Sequence, residues 1–213
     1  MLERFRQFWT NVWAPLGNLL LRMGVSPNAV TVVGTLGVCT GALVFFPQGW
    51  LFAGVLFITV FIFSDMIDGY MARTSGQISP FGAFLDSTLD RIGDAAIFGG
   101  LAMYYVGPGD NRWWTALAIY CLSMGSVTSY ARARAESLSM QAKVGIAERA
   151  DRLVLILAAV GLADLLRLLG VDDKVMWLIP IALALLAVAS TVTVVQRILV
   201  VRRQALALDT PAE

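Results

Sequence analysis

Apolar stretches approaching the ~20 residues a helix needs to cross a bilayer recur from about residue 27 to residue 201. The pattern predicts six spanning helices, at roughly 27–46, 50–73, 81–106, 113–135, 149–169 and 175–201. Gly49, Gly107-Pro108-Gly109 and Gly170 punctuate alternate connections. Ahead of the first span, Phe5, Phe8, Trp9, Val12, Trp13 and Leu16 recur at helical spacing opposite Arg4, Gln7 and Asn11. This segment is expected to be an amphipathic helix on the membrane surface. The expected fold is an all-α integral membrane protein. Residues 1–24 form the juxtamembrane helix, 25–203 a domain of six transmembrane helices, and 204–213 a flexible tail.

Composition supports the membrane reading, with 58% hydrophobic and 15% charged residues, where a soluble domain carries about a quarter charged residues. The net charge of +1 gives no sign of a nucleic-acid partner, so only the placement of charge is informative. With the N-terminus in the cytoplasm, Arg4, Arg6, Arg22, Arg73, Arg132, Arg134, Lys143, Arg149, Arg152, Arg197, Arg202 and Arg203 fall at or near inner ends. Only Arg112, Arg167 and Lys174 lie near outer ends, and Arg91 is left inside the third span. Both termini are therefore expected in the cytoplasm, in a multi-pass protein of the plasma membrane. Trp50, Trp113, Trp114 and Trp177 mark the outer interface, and Trp9 and Trp13 the inner one.

The chain has no histidine, which excludes a Ser/His/Asp triad and histidine-ligated metal. Cys39 and Cys121 sit in apolar stretches without CxxC spacing and are expected to be packing residues. Acid–base and metal chemistry must then rest on carboxylates. Four of them occur on two successive predicted spans: Asp65 and Asp68, three apart, and Asp86 and Asp90, four apart. Each spacing puts its pair on one helical face. The short connection near 74–81 makes the helices antiparallel neighbours, so the two pairs meet toward the cytoplasmic side. Neighbouring anions at membrane depth require counterions, and hard oxygen ligands suit magnesium or manganese completed by a phosphate-bearing substrate. Gly69 and Gly82 permit close approach of a helix or ligand. Arg73, near the inner end, has the fork that grips phosphate.

Asp65-x2-Asp68-Gly69-x2-Ala72-Arg73-x8-Gly82-x3-Asp86-x3-Asp90 resembles the signature of the CDP-alcohol phosphatidyltransferase family at every specified position. The likeness extends to the six-helix layout and to the Pro27-Asn28 to Thr31 segment that opens the first span. It implies attack by an acceptor hydroxyl on the β-phosphorus of a CDP-linked lipid, assisted by a pair of Mg2+ or Mn2+ ions, with CMP leaving. By the same resemblance Asp65, Asp68, Asp86 and Asp90 bind metal, and Asp90 is the catalytic base. Asn28, Thr31, Asp65, Asp68, Gly69, Ala72, Arg73, Gly82 and Asp86 form the nucleotide site. A homodimer is implied as well.

Residues 129–152 add a dense run of arginines that can converge with Arg197. Several guanidiniums facing one pocket suit an acceptor that already carries phosphate. Arg132, Arg134, Arg152 and Arg197, with Ser129, Lys143 and Arg149 beside them, are the expected acceptor-phosphate contacts. The Ser129–Glu136 and Gly145–Arg149 runs are similar to the actinobacterial branch of the family that makes phosphatidylinositol phosphate. That implies CDP-diacylglycerol and inositol 1-phosphate as substrates, among membrane lipids. Glycerol 3-phosphate, as used by phosphatidylglycerophosphate synthases, is the alternative acceptor. A divalent-cation transporter is the competing class, but its carboxylates should sit near the bilayer midplane.

Overall fold

The computed structural model describes residues 13–146 and 148–209. Phe5, Phe8, Trp9 and Val12 of the expected amphipathic segment lie outside the described residues. Helix α1 covers 13–22. It rests on the body of the protein: Trp13 stacks obliquely on Phe63 at 5.3 Å, and the Tyr70 hydroxyl donates to Asn18 Oδ1 at 3.1 Å.

The remaining elements are helical: α2 (Pro27–Thr40), α3 (Leu51–Ile62), α4 (Ser64–Ser75), α5 (Pro80–Val106), α6 (Arg112–Ser137), α7 (Arg149–Leu168) and α8 (Leu178–Asp209). Their starts are written locally. Ser26 and Ser79 cap α2 and α5 by accepting from Ala29 N–H and Gly82 N–H, and each is followed by a proline at the first helical position. Asn111 caps α6 through the N–H groups of Trp113 and Trp114.

Three of the expected spans are not single α-helices, the sixth opening in a 3-10 turn (Asp173–Trp177) before α8. The first passes from α2 into a π-type turn (Gly41–Phe45) and a 3-10 turn (Phe46–Gln48), stopping at Gly49 with φ 79°. The second breaks at Phe63, whose ψ of −12° separates apolar α3 from polar α4. The last helix continues to Asp209, through the first residues of the expected tail.

Among the described residues, Pro27–Gln48, Leu51–Ser75 and Asp173–Ala207 are long and apolar enough to cross a membrane. The other three long helices are less apolar for identifiable reasons. Helix α5 carries Asp86, Asp90, Arg91 and Asp94, and α7 is charged at both ends. Helix α6 is uncharged from Trp113 to Ala131 but diluted by serine, threonine and glycine.

The helices close into a ring in the order α2, α3, α7, α8, α6, α5 and back to α2, with α4 packed on α2. The core inside it includes Phe46, Leu51, Ile58, Phe98, Leu101, Ile156, Val160, Ile179 and Leu183. At one end of the ring Trp50, Trp113 and Trp177 are exposed, and Trp114 meets Trp177 edge-on at 5.5 Å. Asp164 of α7 accepts from the Phe52 N–H of α3 at 2.8 Å there and pairs with Arg167 at 2.5 Å. The aspartates of the sequence signature gather at the opposite end.

Candidate active site

The break at Phe63 starts a new helix that presents Asp65 in its first turn and Asp68 one turn further on along the same face. Gly76, in the left-handed region at φ 68°, stops that helix, and Pro80 starts α5 in the reverse direction. This hairpin sets Asp86 beside the first pair. One carboxylate oxygen from each of Asp65, Asp68 and Asp86 lies within 4.8 Å of the others. Asp68 is buried and its Oδ2 accepts from the Thr31 hydroxyl at 2.5 Å, which fixes its rotation from α2. Three converging carboxylates with an open side form a hard-oxygen donor set of the kind magnesium and manganese accept.

A cavity of about 360 Å³ opens over this triad. Asn28, Thr31, Gly69, Ala72 and Gly82 line it with Asp65, Asp68, Asp86 and Asp90. At both signature glycines an added Cβ would meet polar side chains closely. A Cβ on Gly82 would come within 3.3 Å of Asn28 Oδ1 and Ser79 Oγ, and one on Gly69 within 3.3 Å of the Arg73 guanidinium. Arg73 itself is exposed and folds back over Gly69 rather than forming part of the cavity wall.

A larger cavity of about 770 Å³ lies on the other side of Asp90. Ser129, Arg132, Arg149, Arg152 and Arg197, all expected at an acceptor phosphate, line it together with Arg91. Arg152 and Arg197 are buried. Arg197 donates to the carbonyls of Val144 at 3.0 Å and Thr128 at 2.5 Å, tying α8 to α6 and to the loop before α7. Arg132 pairs with Glu136 at 3.0 Å. Arg134 and Lys143 are exposed and lie outside the lining; Arg134 turns to Ser137 Oγ at 3.3 Å.

Asp90 and Arg149 border both cavities. Arg149 Nη1 is 2.7 Å from Asp90 Oδ1 and 3.5 Å from Asp65 Oδ2. Both residues also reach the polar end of a third cavity, about 370 Å³, whose walls are apolar: Val38, Phe61, Ile62, Ile97, Leu153 and Leu157 among them. One carboxylate and one guanidinium thus stand where an anionic chamber, a cationic chamber and an apolar chamber meet.

Two residues at this junction escaped the sequence reading. Asp94 is buried and accepts from Arg149 Nε at 3.1 Å and Arg152 Nη2 at 3.5 Å. Arg91 lies 3.6 Å from Asp90 and 3.7 Å from Asp94, and donates to the Ser129 hydroxyl. The available signal was spacing, since Asp94 extends the Asp86, Asp90 series by another four residues on the same face. A lone arginine inside a predicted span beside that series was the second clue.

Comparison with known proteins agrees with this geometry. The family model described as CDP-alcohol phosphatidyltransferase matches residues 24–189. The chain is 52% identical over 203 residues to a phosphatidylinositol phosphate synthase of Cutibacterium acnes, covering 95% of this chain and 98% of that one. With the Streptomyces avermitilis protein of the same name it shares 50% over 211 residues, covering 98% and 86%. Its structure resembles the Mycobacterium tuberculosis phosphatidylinositol phosphate synthase solved with CDP-DAG bound, at TM-score 0.82 and 38% identity, covering 90% of this chain and 94% of that one. The crystal structure of that synthase with manganese and citrate matches at TM-score 0.79 and 38% identity, covering 89% and 88%.

Proposed function

Since this chain belongs to the CDP-alcohol phosphatidyltransferase family, we propose that it is a phosphatidylinositol phosphate synthase, joining CDP-diacylglycerol to inositol 1-phosphate and releasing CMP. The observation that carries this reading is the arginine-lined cavity that meets the aspartate cavity at Asp90. A neutral polyol carries no charge to match this cationic lining, whereas an acceptor phosphate accepts the paired hydrogen bonds that guanidinium forks offer. The same name is carried by the relatives at 50–52% identity.

Asp65, Asp68 and Asp86, with Asp90 beside them, are the residues that would hold a pair of Mg2+ or Mn2+ ions, and their hard-oxygen set fits such ions. When bound, the ions neutralise the diphosphate and the charge developing on departing CMP. Asn28, Thr31, Gly69, Ala72 and Gly82 receive the nucleotide, with Arg73 at its edge. The apolar cavity, running from the same junction between α2, α3, α5 and α7, suits the acyl chains. Arg132, Arg149, Arg152 and Arg197, with Ser129, hold the acceptor phosphate. Asp90 accepts the proton of the attacking inositol hydroxyl. The new oxygen–phosphorus bond forms as the bond to CMP breaks, and CMP leaves with the electron pair. The enzyme carries no phosphoryl group at any stage.

The six long helical segments span the membrane in this reading, with the active site at the cytoplasmic face. Tryptophans at one end of the ring and arginines at the other support that orientation. The apolar exterior, including Val33, Leu36, Val60, Leu185 and Val188, is then the lipid-facing surface.

The test is CMP release by the detergent-solubilised protein from CDP-diacylglycerol and magnesium. The acceptors compared are inositol 1-phosphate, free inositol, glycerol 3-phosphate and none. Release only with inositol 1-phosphate, abolished by a chelator and restored by magnesium or manganese, is expected. Release with glycerol 3-phosphate instead keeps the family and overturns the acceptor.

A further inference from the structure

Asp94 lines none of the three cavities, yet it gathers the cations that do. It sits one turn beyond Asp90 on α5 and is only 6% exposed. Its Oδ1 takes the Nε edge of Arg149 at 3.1 Å, while Oδ2 takes Arg152 Nη2 at 3.5 Å and lies 3.7 Å from Arg91 Nη2. Arg149 and Arg152 belong to the first turn of α7, which is not a neighbour of α5 in the ring. The carboxylate therefore bridges the interior and fixes where the start of α7 points its guanidiniums.

A guanidinium has five donors in a rigid plane, so anchoring one edge sets the direction of the rest. Held by its Nε edge, Arg149 presents Nη1 toward Asp90 and Asp65. Arg152 is flanked by Gly125 of α6, where an added Cβ would lie 3.5 Å from its Nη2. It is packed from one side and paired from the other. We propose that Asp94 is a positioning residue for acceptor binding: it holds Arg149 and Arg152 in the orientation that receives the acceptor phosphate, without touching either substrate. This rests on the reading of the arginine-lined cavity as the acceptor site. A carboxylate is needed because three guanidiniums converge there, and an amide of the same shape would remove the one negative charge that faces all three. Fixing these side chains before the acceptor arrives removes their ordering cost from binding.

Steady-state kinetics of the purified enzyme, varying each substrate separately, tests the proposal in Asp94→Asn and Asp94→Glu. The expected result for Asp94→Asn is a rise of about tenfold or more in the acceptor KM, the equivalent of one weakened charged contact, at a nearly unchanged CDP-diacylglycerol KM. Asp94→Glu keeps the charge but displaces it by one methylene, so it should show a smaller rise in the same direction and serves where Asp94→Asn does not fold. Combining Asp94→Asn with Arg152→Lys should raise the acceptor KM by less than the product of the two single effects, because the part of the Asp94 effect that passes through Arg152 is already lost. A purely structural role would lower the folded fraction and the melting temperature, reducing kcat with the acceptor KM unmoved, and that result overturns the proposal. So does an equal rise for both substrates, or failure of both variants to fold. If the wild type uses glycerol 3-phosphate, the inositol reading fails, and the same comparison with that acceptor decides the role of Asp94.

Discussion

Asp90 and Asp68 show how differently two signature carboxylates are held. Asp68 is buried and locked by the Thr31 hydroxyl, as suits a ligand whose geometry must not drift. Asp90 faces the Arg149 guanidinium and borders all three cavities, as suits a group that must meet a substrate hydroxyl. Asp90→Asn should therefore cut CMP release by about a hundredfold or more, the usual contribution of a general base. Binding of CDP-diacylglycerol should remain, because Asp65, Asp68 and Asp86 still form the triad. Stopped turnover with retained nucleotide-lipid binding, measured on the same purified protein, is the expected pair of results; unchanged turnover moves the base elsewhere.

At the scale of elements, the decisive features are interruptions. The break at Phe63 turns one expected span into an apolar helix followed by a polar one, so Asp65 and Asp68 come at a fresh helix start. The π-type turn at Gly41–Phe45 brings the Ala42 carbonyl against Gly100 of α5, where a Cβ has no room. Backbone cannot retreat as a flexible side chain can. Gly100→Ala should destabilise the protein by about 1–3 kcal/mol by forcing α2 and α5 apart. A lowered melting temperature in detergent, with the acceptor KM of the remaining folded enzyme little changed, is the expected signature. An unchanged melting temperature would mean that this approach is slack.

For the whole molecule, the ring divides chemistry from anchoring. Carboxylates and arginines occupy one end, tryptophans and the Asp164–Arg167 pair the other. The proposed orientation puts Lys143 in the cytoplasm and Lys174 outside. With Cys39 and Cys121 replaced by alanine, Lys174→Cys should react with a membrane-impermeant maleimide added to intact cells. Lys143→Cys should react only in inverted vesicles. The reverse pattern would invert the topology and place the active site outside.

Much of this was legible in the sequence because it is carried by local periodicity. Apolar runs, Ser-Pro helix starts and the i, i+3 and i, i+4 aspartates are fixed by neighbours along the chain, so the helices, their approximate ends and the carboxylates that converge could be read directly. The arginine cluster was legible in most of its members, since Ser129, Arg132, Arg149, Arg152 and Arg197 do line one cavity, but not in all of them. Arg134 and Lys143 turn outward, and Arg91 turns in. Asp94 escaped because its importance lies in side chains fifty-odd residues away, on a helix that is not even its neighbour. The ring order, with α3 beside α7 and α6 beside α8, likewise has no sequence period. Local chemistry determined which groups are present; only the closing of the ring decided which of them share a cavity, because contacts between distant segments depend on how all six long segments pack at once.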